Sequence, residues 1–262
     1  MRILGLVLIA AGALFASDGA EPSQAQIDDI IQKFAAHEAA FAKARDAYTY
    51  HQTARVQELD DAGNTTGRWE IISDIVFNVE GKRNEHVVRA PVSTLSQISL
   101  SPEDMEDLKS VQPFVLTTPQ LSKYFIRFLG RQKVDEIDCY VFAVKPKKFE
   151  GTERYFQGEV WVDDRDLQIV KSYGRGVGNT KGSKDQQFPK FETYREQIDG
   201  KFWFPTYTIA NDTLHFKNPP LDVRIKQTVK YEDYKRFKSE STITFGDAVD
   251  DKKDTKPPVK KP

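Results

Sequence analysis

The chain has 262 residues, 39% of them hydrophobic and 29% charged, and a formal net charge of −1. That balance lacks the strongly basic character nucleic-acid binding calls for, and the length allows one domain with a substantial core. Aromatic residues reach 11%, with 17 Phe and 10 Tyr, which suits strands and apolar cavities better than a helical bundle.

Residues 1–20 read as a cleaved secretory signal peptide. Arg2 supplies the positive start, Ile3 to Ala16 the apolar stretch, and Ala16, Ser17, Gly19 and Ala20 the small residues near the cut. The apolar run is shorter than the ~18 residues of a spanning helix. Residues 21–245 are expected to form a single domain, and 246–262, rich in Lys and Pro, a disordered tail. Cys139 is the only cysteine, so no internal disulfide forms, and its apolar neighbours predict a buried structural thiol.

Ser23 and Gln26 form a capping box, and Ile27, Ile30, Ile31, Phe34 and Phe41 then recur at helical spacing, which predicts a helix over 23–47. From Tyr48 the period becomes two. Strands are expected at 48–56, then at Trp69 to Val79, then at Arg83 to Arg89, with turns at Asp60–Asn64 and Glu80–Gly81. In the second strand Trp69, Ile71, Ile75, Phe77 and Val79 share a face with Ser73. Residues 90–122 are punctuated by Pro91, Pro102, Pro113 and Pro119, and Ser101 with Asp104 signals a short helix. This stretch reads as an insertion of short helices that could close over one sheet face.

Lys123 to Val134 fits helix and strand alike; its β-branched and aromatic residues favour strand. Hairpins follow at Lys123–Lys145, Gly158–Tyr173 and Phe191–Ile209. The last strand alternates Val223, Ile225, Val229 and Tyr231 against charged residues. The fold class is mainly β (α+β): a half-open antiparallel β-barrel with an N-terminal helix and short lid helices.

No chemistry stands out. His37, His51, His86 and His215 share no metal-ligand spacing; His215 is expected in a loop. The Gly-rich stretch 174–184 lacks the phosphate-loop pattern and reads as a mobile loop. Asp163–Asp166 lacks the Gly and Glu of a calcium loop and reads as a hairpin turn. No catalytic residue, metal or cofactor is expected, and the chain is expected to be monomeric and not an enzyme. What remains is an amphipathic sheet whose apolar face is either a filled core or the wall of a ligand cavity. The candidate lining residues are Trp69, Ile71, Ile75, Phe77, Tyr140, Phe142, Ile225, Val229 and Tyr231.

The order of these elements resembles the bacterial lipoprotein-carrier superfamily, which includes the LolA and LolB carriers and the RseB-type envelope-stress regulators. The residues that carry the likeness are the 23–47 helix, Phe128–Arg131, Tyr140–Lys147, Gly158–Asp163, Leu167–Lys171 and Tyr231–Phe237. The resemblance spans roughly residues 24–240 and rests on short motifs. It implies a half-open barrel around short helices, an apolar cavity for acyl chains and a periplasmic address. The sequence departs from the pattern in lacking the LolB-type amino-terminal Cys. It also shows no obvious counterpart of the Arg with which LolA latches its lid, Arg55 being a candidate by position only. The leading reading is a periplasmic binder or carrier of lipids or lipoprotein acyl chains, as in outer-membrane lipoprotein sorting. The alternatives are an envelope signalling or scaffold protein acting through a protein partner, and a hydrolase with an unrecognised site.

Overall fold

The computed structural model describes residues 21–78, 80–180, 187–217 and 219–237. Residues 1–20, read above as a signal segment, Val79, the end of the Gly-rich stretch from 181 and residues 246–262 lie outside the described residues. Helix α1 (Gln24–Arg45) begins at the Ser23–Gln26 capping box, and its apolar stripe buries Phe34, Ala35 and Phe41. Ten strands follow: β1 (Tyr48–Leu59), β2 (Thr65–Phe77), β3 (Arg83–Arg89), β4 (Tyr124–Val134), β5 (Ile137–Pro146), β6 (Tyr155–Asp163), β7 (Ile169–Val177), β8 (Phe191–Gln197), β9 (Trp203–Lys217) and β10 (Pro220–Arg236). Between β3 and β4 lie an extended strap, helix α2 (Pro102–Glu106), one wide π-turn over Asp107–Val111 and a 3-10 turn over Thr118–Lys123.

The strands form one antiparallel sheet in the order β3-β2-β1-β10-β9-β8-β7-β6-β5-β4. β3 and β4 are its two edges, so the barrel is half-open. The register runs a single row of side chains across the concave face: Phe142, Val160, Ser172, Thr193, Thr208, Val229, Ala54 and Ile71, each opposite the next. Onto this face pack α1 and the insertion. Phe34 meets Phe142 at 5.4 Å between ring centroids, and Phe114 stacks on Phe156 at 4.4 Å. The outer face of β5–β7 carries a smaller apolar cluster of Cys139, Val141, Trp161 and Val170.

Two expectations need correction. His215 lies in β9, opposite Asp222, because β9 and β10 run on as a long hairpin past residue 209. Gly174–Val177 belong to β7 rather than to a loop. A Cβ at Gly174 would stand 2.8 Å from the Phe156 ring, and one at Gly176 would stand 1.9 Å from the Asp107 carboxylate. These glycines therefore make room for neighbours inside a strand. The short helices of the insertion begin at Pro102 and Thr118, and residues 90–101 before them carry no regular secondary structure.

Candidate ligand-binding site

All nine candidate lining residues lie on the concave face, in three different settings. Ile75, Phe142 and Val229 have no exposed surface and are packed by neighbouring side chains. Trp69, Ile71 and Tyr140 are half-buried at the margins of those clusters. Ile225 reaches one cavity, and Phe77 and Tyr231 reach another. The insertion separates these spaces, so the concave face is neither wholly filled nor one continuous hollow.

The insertion is pinned to the sheet by buried polar contacts. Arg154, at the entrance to β6, holds Asp107 in a fork, Nε to Oδ1 at 2.8 Å and Nη2 to Oδ2 at 2.6 Å. Burial pushes the Asp107 carboxyl up to about 6 against the opposing pull of Arg154. Thr193 donates to the Gln112 carbonyl at 2.9 Å, and Arg195 donates to the Phe114 carbonyl. Arg195 also pairs with Glu38 of α1 at 3.1 Å, and Glu38 accepts from the Ile169 N–H at 3.0 Å. Burial raises the Glu38 carboxyl, with Arg195 pulling the other way. Helix, insertion and sheet thus meet at one buried junction.

The extended strap is fastened differently. Glu58 at the far end of β1 is fully buried, and its carboxylate accepts from the N–H groups of Ser96, Gln97 and Ile98 at 2.7 to 3.1 Å. Burial pushes this carboxyl up, but the three N–H groups and the Ser96 hydroxyl outweigh it and hold it below the ordinary range. Gly67 lets the strap come this close: a Cβ there would lie 2.5 Å from Glu58 Oε2 and 2.7 Å from the Thr94 carbonyl.

Between strap, α2 and the concave ends of β1, β8, β9 and β10 lies a cavity of about 760 Å³. Its apolar wall includes Val56, Ile98, Leu108, Leu214, Phe216 and Ile225, with Asp104 and Asp107 at the insertion side. The size falls in the usual range of ligand sites, roughly 300–1,000 Å³. The insertion thus forms one wall of the cavity, with Glu58 and Arg154 as its fastenings.

Arg55 is not a latch for the insertion. It sits on the outer face of β1, where its Nε donates to Glu70 of β2 at 2.7 Å. The arginines that matter to the concave side are Arg45, Arg83, Arg154 and Arg195. No periodic signal marks them, because each gains its meaning from a partner or cavity far along the chain. Among the described residues no group of three or more His, Cys, Asp or Glu is placed to hold a metal, and no helix is long and apolar enough to cross a membrane.

These features define a half-open antiparallel β-barrel with a helical insertion that forms one wall of a cavity with apolar and polar sides. No family model matches the chain, and no curated protein matches it. Solved structures similar to it include a DUF1329 family protein from Desulfovibrio piger, at 12% identity over 81% of this chain and 92% of that chain, with a TM-score of 0.38. A LolA superfamily protein from Nitrosomonas europaea is similar at 13% identity over 80% and 93%, with a TM-score of 0.36. The Pseudomonas aeruginosa MucA/MucB complex matches at 10% identity over 80% and 100%, with a TM-score of 0.23. None of these likenesses says what this chain binds.

Proposed function

We propose that the chain is a periplasmic binding or carrier protein for hydrophobic ligands such as lipids or lipoprotein acyl chains, and that it catalyses no reaction. The observation that carries this reading is the cavity of about 760 Å³ between a fastened insertion and the concave sheet. An alkyl chain leaving water for that wall gains about 0.8 kcal/mol per methylene. Of the nine concave-face residues, Ile225 touches the ligand, Ile75, Phe142 and Val229 hold the sheet's shape, and Phe77 and Tyr231 face the cavity on the other flank of the insertion. Trp69, Ile71 and Tyr140 join the wall when the insertion shifts. The periplasmic address rests on the N-terminal segment read from the sequence.

The test is native mass spectrometry of the mature protein, prepared from a bacterial periplasm without detergent. A reproducible adduct with the mass of a lipid or acylated peptide is expected, and Leu214→Asp, which sets a charge in the wall, is expected to lower the number of ligands held per chain. A bare protein that takes up no added lipid would refute the reading. A second reading, an envelope scaffold with a protein partner, draws support from the two free sheet edges, where Val87 and Val88 of β3 and Phe125 of β4 are exposed. A lipid-free complex with an envelope protein, lost when Val87 and Val88 become Lys, is its expected result.

A further inference from the structure

Helix α1 ends in Arg45, whose side chain lines a separate cavity of about 580 Å³ on the opposite flank of the insertion. Four rings face that space: Tyr50, Phe77, Tyr231 and Tyr234. Two of them come from one strand because β10 bulges there. Asp233 takes a positive φ of 56°, the pairing slips between Thr49 and His51, and Tyr231 and Tyr234 both come to stand on Tyr50, at 6.1 and 5.1 Å.

Arg45 differs from the other interior arginines. Arg154 has Asp107, and Arg195 has Glu38. The Arg45 guanidinium lies 5.2 Å from the centre of the Phe77 ring and 6.0 Å from that of Phe41. Its Nε is buried with no hydrogen-bond partner, and among the described residues no carboxylate forms an ion pair with it. Burial pushes its pKa down, while the neighbouring Asp46 and Tyr50 favour the charged form without a direct bond. Lys82, Arg83 and Lys109 line the same cavity against Glu85 and Glu106, which leaves positive charge in excess. The Nε of Arg83 is buried without a partner too, but Glu85 at 3.0 Å and Gln52 at 2.9 Å engage the rest of its guanidinium, whereas Arg45 has no direct hydrogen-bond partner among the described residues. The helix dipole favours a cation in a last turn, but a solvated lysine would meet that need without a buried, unbonded Nε.

We propose that this cavity binds an amphipathic acid, its anionic group on the Arg45 guanidinium and its apolar body against Tyr50, Phe77 and Tyr234. A carboxylate or phosphate matches the planar fork, and the volume suits a ligand of lipid-fragment size. The site is distinct from the larger cavity and does not rest on the reading given for it.

The experiment is calorimetric titration of the purified chain with decanoate, decyl phosphate, decanol and inorganic phosphate. Decanoate or decyl phosphate is expected to bind at least about tenfold more tightly than decanol, the scale of one charge-assisted hydrogen bond. Decanoate ahead points to free fatty acids, decyl phosphate ahead to lipid phosphates, and either upholds the proposal. In Arg45→Gln the ratio of acid to alcohol is expected to fall to about one, with circular dichroism confirming the fold. Should that variant not fold, Arg45→Lys is expected to weaken the acid severalfold yet keep its preference over the alcohol. Leu214→Asp is expected to leave the ratio unchanged. Equal affinity for acid and alcohol in the parent chain overturns the proposal. So does an unchanged ratio in Arg45→Gln, full affinity in Arg45→Lys, inorganic phosphate binding as tightly as decyl phosphate, or loss of the preference in Leu214→Asp.

Discussion

Replacing Arg154 by Met keeps most of the stem and removes the fork that holds Asp107 at 2.8 and 2.6 Å. Deleting one partner of a buried ion pair costs about 3–5 kcal/mol. At about 2–4 °C per kcal/mol for a domain of this size, the variant should melt roughly 6–20 °C lower at pH 7.5. The loss has a pH signature. The Asp107 carboxyl stands at about 6 in the folded chain, above the ~3.9 of an unfolded Asp, so the folded state holds the proton more tightly. Its contribution to stability is therefore fully present below about pH 4 and declines as pH rises through about 6. Without Arg154 the carboxyl rises further and is neutral at pH 5, where the cost of the substitution shrinks. Urea melts at pH 7.5 and 5.0 measure both values, and hydrogen exchange over 102–113 shows whether the insertion loosens first. Pairing Arg154→Met with Asp107→Leu should recover more than half of the loss at pH 7.5, since no charge is then orphaned. Equal losses at both pH values, or a double variant no better than the single, would refute the argument.

Gly176→Ala attacks the same fastening from β7. Its Cβ would stand 1.9 Å from Asp107 Oδ2, so the carboxylate must leave the fork, with an expected cost of about 1–3 kcal/mol in a urea melt. Glu58→Gln removes an anionic acceptor of three N–H groups, and faster exchange at Ser96, Gln97 and Ile98 is the expected readout, with about 1–3 kcal/mol of stability lost. Because Glu58 is held below its unfolded pKa, its contribution is present above about pH 4.3 and is lost as pH falls through the folded value; acid should therefore free the strap. Burial, with Asp163 adding to it, pushes the Cys139 thiol up to about 12, so a thiol reagent at pH 8 should label the denatured chain and not the native one. Rapid labelling of native protein would contradict the buried setting.

Local codes were legible in the sequence. Ser23 and Gln26 announced α1, alternation announced β1, β2 and β10, and Ser101 with Asp104 announced α2. The parity of Trp69 to Phe77 and of Val223 to Tyr231 was legible as a shared face, and the register makes it the concave one. The fastenings were not legible. Asp107 with Arg154, Glu38 with Arg195, and Glu58 with the 96–98 amides join residues 38 to 157 positions apart. No pattern within one element encodes such a meeting. Gly174 and Gly176 misled for a related reason. Glycine suggests a loop when read alone, yet here the Phe156 ring and the Asp107 carboxylate occupy the space a side chain would need. Arg45 carried no signal at all, since a cation in a helix's last turn is ordinary and only the cavity gives it a role.

The strand order has a consequence for how the chain assembles. From β4 to β10 every strand pairs with its predecessor, and so do β1, β2 and β3. Each group is a ladder of local hairpins that can zip up alone. Among the described residues the strand pairing that joins the two ladders is that of β1 with β10, with Tyr48 opposite Arg236. Nearly the whole chain must therefore emerge and loop back before that seam can close, which places it late in folding. Once formed, the seam would hold both ladders together even if the strap at 92–100 were cut. A chain nicked there should remain a single particle with an unfastened insertion.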